Sequence, residues 1–417
     1  MAESSPRTRP LLRQARRKSR RVGLSAVSRQ MDSREDRGWL TVPDMVSRAK
    51  EYSIAITTYC DAGVDVQRGD LASVCAYAHA RDTHSVRKGC VGVPVTEREG
   101  GFAGLLDMSP LGAYFLVHTS DGTGTKMELA QRIGVYESIG RDLLAMVADD
   151  AVCMGAEVLG ISNTLDVPKV DPTVIDPLLR GLALACTEQG IAMTGGEIAE
   201  VPESVSVPVW NATAVGIVEK DRVVRPETIM PRDIIIALRE RGCRSNGFSL
   251  LRKILQDAFG SEWHRKENDD HGTWAELLLR PSTIYHSALL KLLGRFGEAR
   301  TVPIKGLAHI TGGGIPAKLR RILKKTGYGA KLHDLWPPPT VLIDCLKMGN
   351  ISQEEAYRTF GMGNGMLMVL SPEEGDRALA LLHGAGVEAR IAGTITHDPE
   401  IVIVTEAEDL RFDGPAP

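Results

Sequence analysis

The stretch Phe115-Leu116-Val117-His118-Thr119-Ser120-Asp121-Gly122-Thr123-Gly124-Thr125-Lys126 begins apolar and ends in a polar, glycine-rich run. A short apolar run bounded by turn residues reads as a buried strand, and 120–126 as the loop that leaves it. Residues 134–155 follow as a helix, with Ile139, Leu143, Met146 and Val147 on one face. Strand, polar loop and helix in succession make a mixed α/β unit. The loop also has chemistry. Its glycines let backbone N–H groups approach phosphate oxygens, Lys126 can neutralise charge and Asp121 can hold Mg²⁺. The GxxxxGK[ST] spacing is absent, so this is not a Walker A loop. The same composition alone also describes a solvated turn.

The alternation continues outward. Asp171 and Pro172 start a second helix as N-cap and first-turn proline; Ile175, Leu178, Leu179 and Leu182 recur at helical spacing, and it ends near Gly190. A strand over 191–194 runs into Gly195-Gly196-Glu197, and 207–218 reads as another strand. A charged, proline-bearing segment over 220–233 suggests a boundary, after which 233–238 is a fresh strand. Helices are expected near 247–258, 282–296 and 315–325, one over 353–358 behind the capping box of Ser352 and Glu355, and another after Pro372. Strands are expected over 365–370, 389–394 and 401–404. The fold class is α/β (α+β) with two mixed domains, 49–219 and 220–410, flanked by a disordered basic extension over 1–48 and a tail over 411–417.

Of the 417 residues, 25% are charged and 43% hydrophobic, an ordinary globular composition. No apolar run approaches the roughly 18 residues of a membrane span. The seven cysteines form no CxxC pair, which disfavours a disulfide framework or a thiolate zinc site and favours a reducing, cytoplasmic setting. Residues 1–30 carry nine Lys and Arg against Glu3, so the rest of the chain is more acidic than the net charge of −3 and is unsuited to general nucleic-acid binding. An Arg-rich, acid-poor start is also compatible with an import signal, a nucleic-acid-attracting tail, or upstream sequence ahead of Met31 or Met45.

Other segments add candidate groups. Asp142 and Asp149 are two helical turns apart and share a face, with Asp150 beside them. The intervening residues are almost all apolar, so the acids form a narrow stripe suited to Mg²⁺ or to buried cations. Glu197 stands at a strand end, where acids often face a ligand crevice. Ser245-Asn246-Gly247 and His309-Ile310-Thr311-Gly312-Gly313-Gly314 each precede a helix, where free N–H groups suit a phosphate; capping and packing explain them equally well.

Taken together, YCDAGVD (59–65), EGGFAGL (99–105), SDGTGTK (120–126), IGRDLLAMVADD (139–150), GAE (155–157), GGEIAEVP (195–202), VGIVEK (215–220), SNGFSLLRKIL (245–255), HITGGG (309–314) and YRTFGMGNGM (357–366) resemble the aminoimidazole ribonucleotide synthetase, or phosphoribosylformylglycinamidine cyclo-ligase, family over 52–405. The resemblance implies an amino-terminal half whose sheet pairs into a barrel-like homodimer interface, an α+β carboxyl-terminal half, and ATP with Mg²⁺ bound between them. It implies that Asp121, Lys126 and Asp150 are catalytic. Gly100, Gly101, Asp121, Gly122, Thr123, Gly124, Thr125, Lys126, Asp142, Gly195 and Gly196 would contact the nucleotide, and Asp121, Asp149, Asp150 and Glu197 the metal. Ser245, Asn246, His309, Thr311, Gly312, Gly313 and Gly314 would contact the substrate, formylglycinamidine ribonucleotide. The chain departs from the family pattern at Cys60 (commonly Lys), Asp149 (Asn), Arg244 (His), Glu203 (Gly) and 361–364. A related kinase or synthetase of the same superfamily, or a catalytically weakened nucleotide-binding relative, are the competing expectations.

Overall fold

The computed structural model describes residues 88–95, 102–109 and 111–414, with Thr58 and His84. The expected extension 1–48, the segment 59–65 with Cys60, and the Gly100-Gly101 pair lie outside the described residues.

The described strands form two sheets and a short hairpin. The first sheet contains β1 (Val93–Pro94), β2 (Gly104–Asp107), β3 (Tyr114–Gly122), β4 (Glu157–Val167), β5 (Ala192–Glu200) and β6 (Val209–Glu219), in the order β1-β2-β3-β6-β4-β5. All its pairings are antiparallel except β4 with β5. Its helices are α1 (Lys126–Ile133), α2 (Glu137–Val152) and α3 (Pro172–Gln189). The second sheet contains β7 (Ile234–Arg239) and, beyond the hairpin β8 (Glu267–Asn268) and β9 (Gly272–Thr273), also β10 (Gly306–His309), β11 (Gly329–Leu332), β12 (Asn364–Leu370), β13 (Ala389–Thr396), β14 (Ile401–Val404) and β15 (Asp409–Phe412). Its order is β10-β12-β7-β13-β11-β14-β15. Its helices are α4 (Phe248–Phe259), α5 (Trp274–Leu278), α6 (His286–Leu293), α7 (Gly314–Leu323), α8 (Thr340–Met348), α9 (Gln353–Thr359) and α10 (Gly375–Gly384).

Local chemistry sets the boundaries. Asp171 caps α3 by accepting from the Thr173 N–H at 2.9 Å, Pro172 starts it, and Gly190 ends it in the left-handed conformation. Ser352 caps α9 through the Glu355 N–H. The continuous apolar run of β7 lies buried in the centre of the second sheet.

α2 is buried on nearly every side. On one side it packs against the first sheet and α3. The contact with α3 is backbone on backbone: a Cβ on Gly181 would lie 1.8 Å from the Glu137 carbonyl oxygen, and one on Gly140 2.1 Å from the Leu182 nitrogen. On the other side its acids meet the second half of the chain.

Four boundaries differ from those read off the sequence. β3 continues to Gly122, so Asp121 lies on a strand and the loop shrinks to 123–125. β5 continues through Gly195, Gly196 and Glu197, which the expected strand-end turn would have left outside it. The helix expected over 134–155 begins at Glu137, and a separate α1 ends at Gly134 in the left-handed conformation. The helix expected from 282 starts at His286, because the amides of Ser282, Thr283 and Tyr285 donate to Asp142, Glu240 and Asp149 and are held out of a helical ladder.

Candidate active site

Two carboxylates feel each other's charge where β3 ends beside the last turns of α2. Asp121 is half-buried and accepts from the Gly122 N–H at 2.7 Å. Burial pushes its carboxyl up to about 6, with the Asp150 charge adding to the rise. Burial likewise pushes Asp150 up to about 7, opposed by the positive charges of Lys318, Arg321 and Arg244. Lys318 and Arg321 are one helical turn apart on α7, so one face of that helix brings positive charge to the carboxylates.

Beneath this pair lies a buried ionic network. Arg244, with a side chain 3% exposed, donates from Nη1 to Glu240 Oε2 at 3.0 Å and the Thr283 carbonyl at 3.1 Å. Its Nη2 reaches Asp149 Oδ2 at 2.9 Å and His309 Nε2 at 2.6 Å. Burial raises the Asp149 and Glu240 carboxyls, Arg244 pulls both back down, and the two acids in turn drive the guanidinium up despite its burial. The His309 ring is wholly buried; burial first, and Arg244 second, hold its pKa well below the usual value. Its Nδ1 lies 2.6 Å from Asp150 Oδ1. A second buried pair joins Lys126 to Asp142, with Nζ 2.9 Å from Oδ1 and 2.8 Å from both Oδ2 and the Arg280 carbonyl oxygen. Ser282 donates its N–H to the same Asp142 at 2.9 Å, and its hydroxyl as well. Both networks tie α1 and α2 to 280–285.

A narrow pocket lies beside Arg244 and is lined by Glu240, Asn246, Ile310, Phe360 and Met362. Ser245 Oγ, Asn246 Oδ1 and Thr123 Oγ1 are buried with no protein partner. Orphaned polar atoms at that depth call for a ligand or solvent partner. Gly124 and Thr125 are exposed beside them, and Gly124 approaches the Ser245 carbonyl. Thr311 is buried; Gly312 and Gly313 are partly open.

Several sequence-derived assignments change. Lys126 and Asp142, expected on nucleotide phosphates, are fully buried and satisfy each other, because an apolar helix cannot hold an acid toward the core without a cation. Asp149, expected on the metal, is occupied by Arg244 and the Tyr285 N–H. Glu197 does not join Asp121. The cross-sheet row of Asp121 runs through Ala212, Asn163 and Gly196, and the row of Glu197 runs through Thr164, Asn211 and Gly122. Glu197 is therefore exposed on the opposite face, three strands or roughly 14 Å away. Gly195 and Gly196 lie on that edge strand. Gly314 has a packing reason of its own: a Cβ there would stand 1.9 Å from the Tyr357 carbonyl oxygen. Among the described residues no three His, Cys, Asp or Glu side chains converge as a metal cage. Two hard carboxylates still suit Mg²⁺, which takes one or two such ligands and completes its shell with phosphates and water.

Residues not singled out from the sequence matter as much. Glu240, Ser282, Lys318 and Arg321 had no motif to mark them, although the i, i+3 spacing of the last two on an amphipathic helix was a usable signal. Arg244 was visible only as a departure from the family pattern, and it forms a salt bridge with Asp149, a second departure.

The family model described as AIR synthase related protein, N-terminal domain, matches residues 102–218, and its C-terminal domain counterpart matches 231–406. The phosphoribosylformylglycinamidine cyclo-ligase of Pyrococcus furiosus is 36% identical, covering 83% of this chain and 97% of that protein. That of Sorangium cellulosum is 35% identical, covering 81% and 95%. Among solved structures, the HypE-HypF complex has a TM-score of 0.54 at 20% identity, covering 76% of this chain and 94% of that one. Phosphoribosylformylglycinamidine synthase II from Thermotoga maritima has a TM-score of 0.53 at 16% identity, covering 77% of this chain and 46% of that one. The solved structures speak to fold alone; identity of this level over nearly the whole length of the curated proteins goes further, and the chain belongs to the phosphoribosylformylglycinamidine cyclo-ligase family.

Proposed function

We propose that this protein uses ATP and Mg²⁺ to close formylglycinamidine ribonucleotide into aminoimidazole ribonucleotide, a ring-forming step of purine biosynthesis. The observation that carries this reading is the pair Asp121 and Asp150. Both are carboxylates raised by burial, set against the positive face of α7, in a chain similar to cyclo-ligases along nearly all of their length. We assign the nucleotide to the half formed by 49–219 and its cleft with 220–410.

In this reading Asp121 and Asp150 hold Mg²⁺, which supplies charge neutralisation at the nucleotide phosphates. Lys318 and Arg321 add positive charge on the opposite side. The backbone of 122–125 and the orphaned hydroxyls of Thr123 and Ser245 offer polar contacts to phosphate or substrate. The formyl oxygen attacks the γ-phosphorus and ADP leaves. A nitrogen of the same molecule then attacks the activated carbon, the ring closes and phosphate departs. No side-chain nucleophile is needed, because phosphoryl transfer of this kind depends on positioning and electrostatics. Lys126, Asp142 and Asp149 act as structural supports of α2.

The face of the first sheet turned away from α2 and α3 exposes Ser120, Ser162, Thr164, Val209 and Asn211, with Leu159 beside them. We assign that face to a second copy of the chain, as a cytoplasmic homodimer; sedimentation of the purified protein as a monomer would remove this part. Among the described residues no helix is long and apolar enough to cross a membrane.

The direct test supplies the full chain with formylglycinamidine ribonucleotide, ATP and Mg²⁺. ADP and phosphate should appear together with the aminoimidazole product and only when all three are present. Asp121→Asn should cut turnover about 100-fold while leaving the circular dichroism unchanged. Folded protein that releases no substrate-dependent ADP overturns the proposal.

A further inference from the structure

We propose that Arg244 locks His309 as the neutral Nδ1–H tautomer and thereby makes it a dedicated hydrogen-bond donor to Asp150: His309 is a positioning residue, not a base, a metal ligand or a substrate contact. The inference deepens the reading of Asp150 as an acid on the nucleotide side and rests on it for its functional meaning.

Arg244 Nη2 lies 2.6 Å from His309 Nε2. A guanidinium has five N–H donors, no acceptor, and stays protonated in proteins. At that distance Nε2 must present its lone pair, because a second N–H there would face the guanidinium N–H directly. A neutral imidazole carries one ring proton, which therefore sits on Nδ1. Nδ1 in turn lies 2.6 Å from Asp150 Oδ1, so the carboxylate oxygen accepts it.

Arg244 cannot swing away to release the ring. Its two Nη atoms are committed to Glu240, the Thr283 carbonyl, Asp149 and His309. Its plane lies over Tyr285, with the ring centroid 5.5 Å away. Asp149 is itself held by the Tyr285 N–H at 2.9 Å. His309 is fully buried, and among the described residues Arg244 is the group at hydrogen-bond distance from Nε2. Asp150 keeps one oxygen on the imidazole and leaves Oδ2 for the nucleotide side. A donor hydrogen-bonded behind a ligating carboxylate orients it, and losing one typically costs about 10–100-fold in affinity or activity. Lysine cannot replace Arg244: a compact ammonium with three donors cannot serve acceptors at both prongs of the fork.

The test has two arms. In the first, long-range ¹H–¹⁵N spectra of ¹⁵N-histidine-labelled, ligand-free full-length protein are recorded at neutral pH, with His309→Ala identifying the signals. Nδ1 should be protonated and Nε2 bare, and Arg244→Lys should shift the ring toward the Nε2–H form. An Nε2–H or doubly protonated His309 in the unaltered protein overturns the proposal. The second arm compares His309→Asn, which returns an amide N–H near the Nδ1 position, with His309→Gln, which reproduces only the Nε2 end. Asn should retain kcat within about tenfold, and Gln should lose about 10–100-fold, mostly in kcat; the reverse order overturns the proposal. If Arg244→Lys fails to fold, the unaltered protein's spectrum and the His309 pair still decide. A protein without cyclo-ligase turnover but with the Nδ1–H tautomer would sink the proposed reaction and leave the tautomer lock standing.

Discussion

Replacing Lys126 by methionine separates a structural lysine from a catalytic one. Both Lys126 and Asp142 are 0% exposed, and Nζ touches two carboxylate oxygens and the Arg280 carbonyl. Methionine keeps much of the stem volume and removes the charge. The Asp142 carboxylate is then buried with only the Ser282 N–H and hydroxyl as donors. Breaking a buried ion pair by deleting one partner costs about 3–5 kcal/mol, and the two remaining donors place this case near the lower end. The Arg280 carbonyl also loses its donor, adding about 1 kcal/mol. The sum is about 4 kcal/mol, close to a thousandfold in the folding equilibrium. The double variant Lys126→Met/Asp142→Leu should recover most of it, since apolar groups of similar volume often replace a buried pair without loss. Urea unfolding followed by tryptophan fluorescence reads the stability, and ADP release by the folded fraction reads the activity. If Lys126→Met stays within about 1 kcal/mol of the parent yet loses turnover, Lys126 works on the nucleotide and the buried-pair assignment is wrong.

Asp121 and Asp150 titrate near 6 and 7 in the folded protein against an unperturbed 3.8, so the folded state binds their protons more tightly than the unfolded chain. Their contribution to stability is fully present below the unperturbed value and is lost as pH rises through about 6 and 7. Binding runs the other way: Mg²⁺-nucleotide affinity, measured by calorimetry, should rise through the same window and level off above it, with proton release on binding at the lower end. An affinity flat across that window would remove these carboxylates from the site. Gly181→Ala should lower stability by about 1–3 kcal/mol or more, because its Cβ meets the Glu137 carbonyl at 1.8 Å and forces α3 off α2; thermal melting checks it, and a neutral effect would mean the two helices can part without cost. The same variant should weaken Mg²⁺-nucleotide binding, since α2 carries Asp150.

Much of the secondary structure was legible because its signals are local. Asp171-Pro172 with Gly190, and Ser352 with Glu355, each define a helix end within a few residues, and the Ile234-Ile235-Ile236 run marks a buried strand. The boundaries that moved did so for non-local reasons. Gly195, Gly196 and Glu197 stay in β5 because β4 offers a parallel partner for each of them. The segment 282–285 stays out of a helix because carboxylates from α2 and from Glu240, just past β7, claim its amides.

For the site, the residues alone determined that acids on an apolar helix had to find cations or metal, since such a helix cannot leave carboxylates uncompensated; the grouping of Asp121, Asp149, Asp150 and Glu197 at one metal came from the family resemblance. Which acid received which partner was decided only by the tertiary structure. Asp142 met Lys126, Asp149 met Arg244, Asp150 met His309, and Glu197 was turned to the far face of the sheet by the two-residue alternation of a strand. Sequence spacing constrains which side chains share a face of one element; the partner across the interface, and whether it brings charge, is set by how two elements pack, and that follows from contacts such as the Gly140–Gly181 approach that join residues distant in the chain.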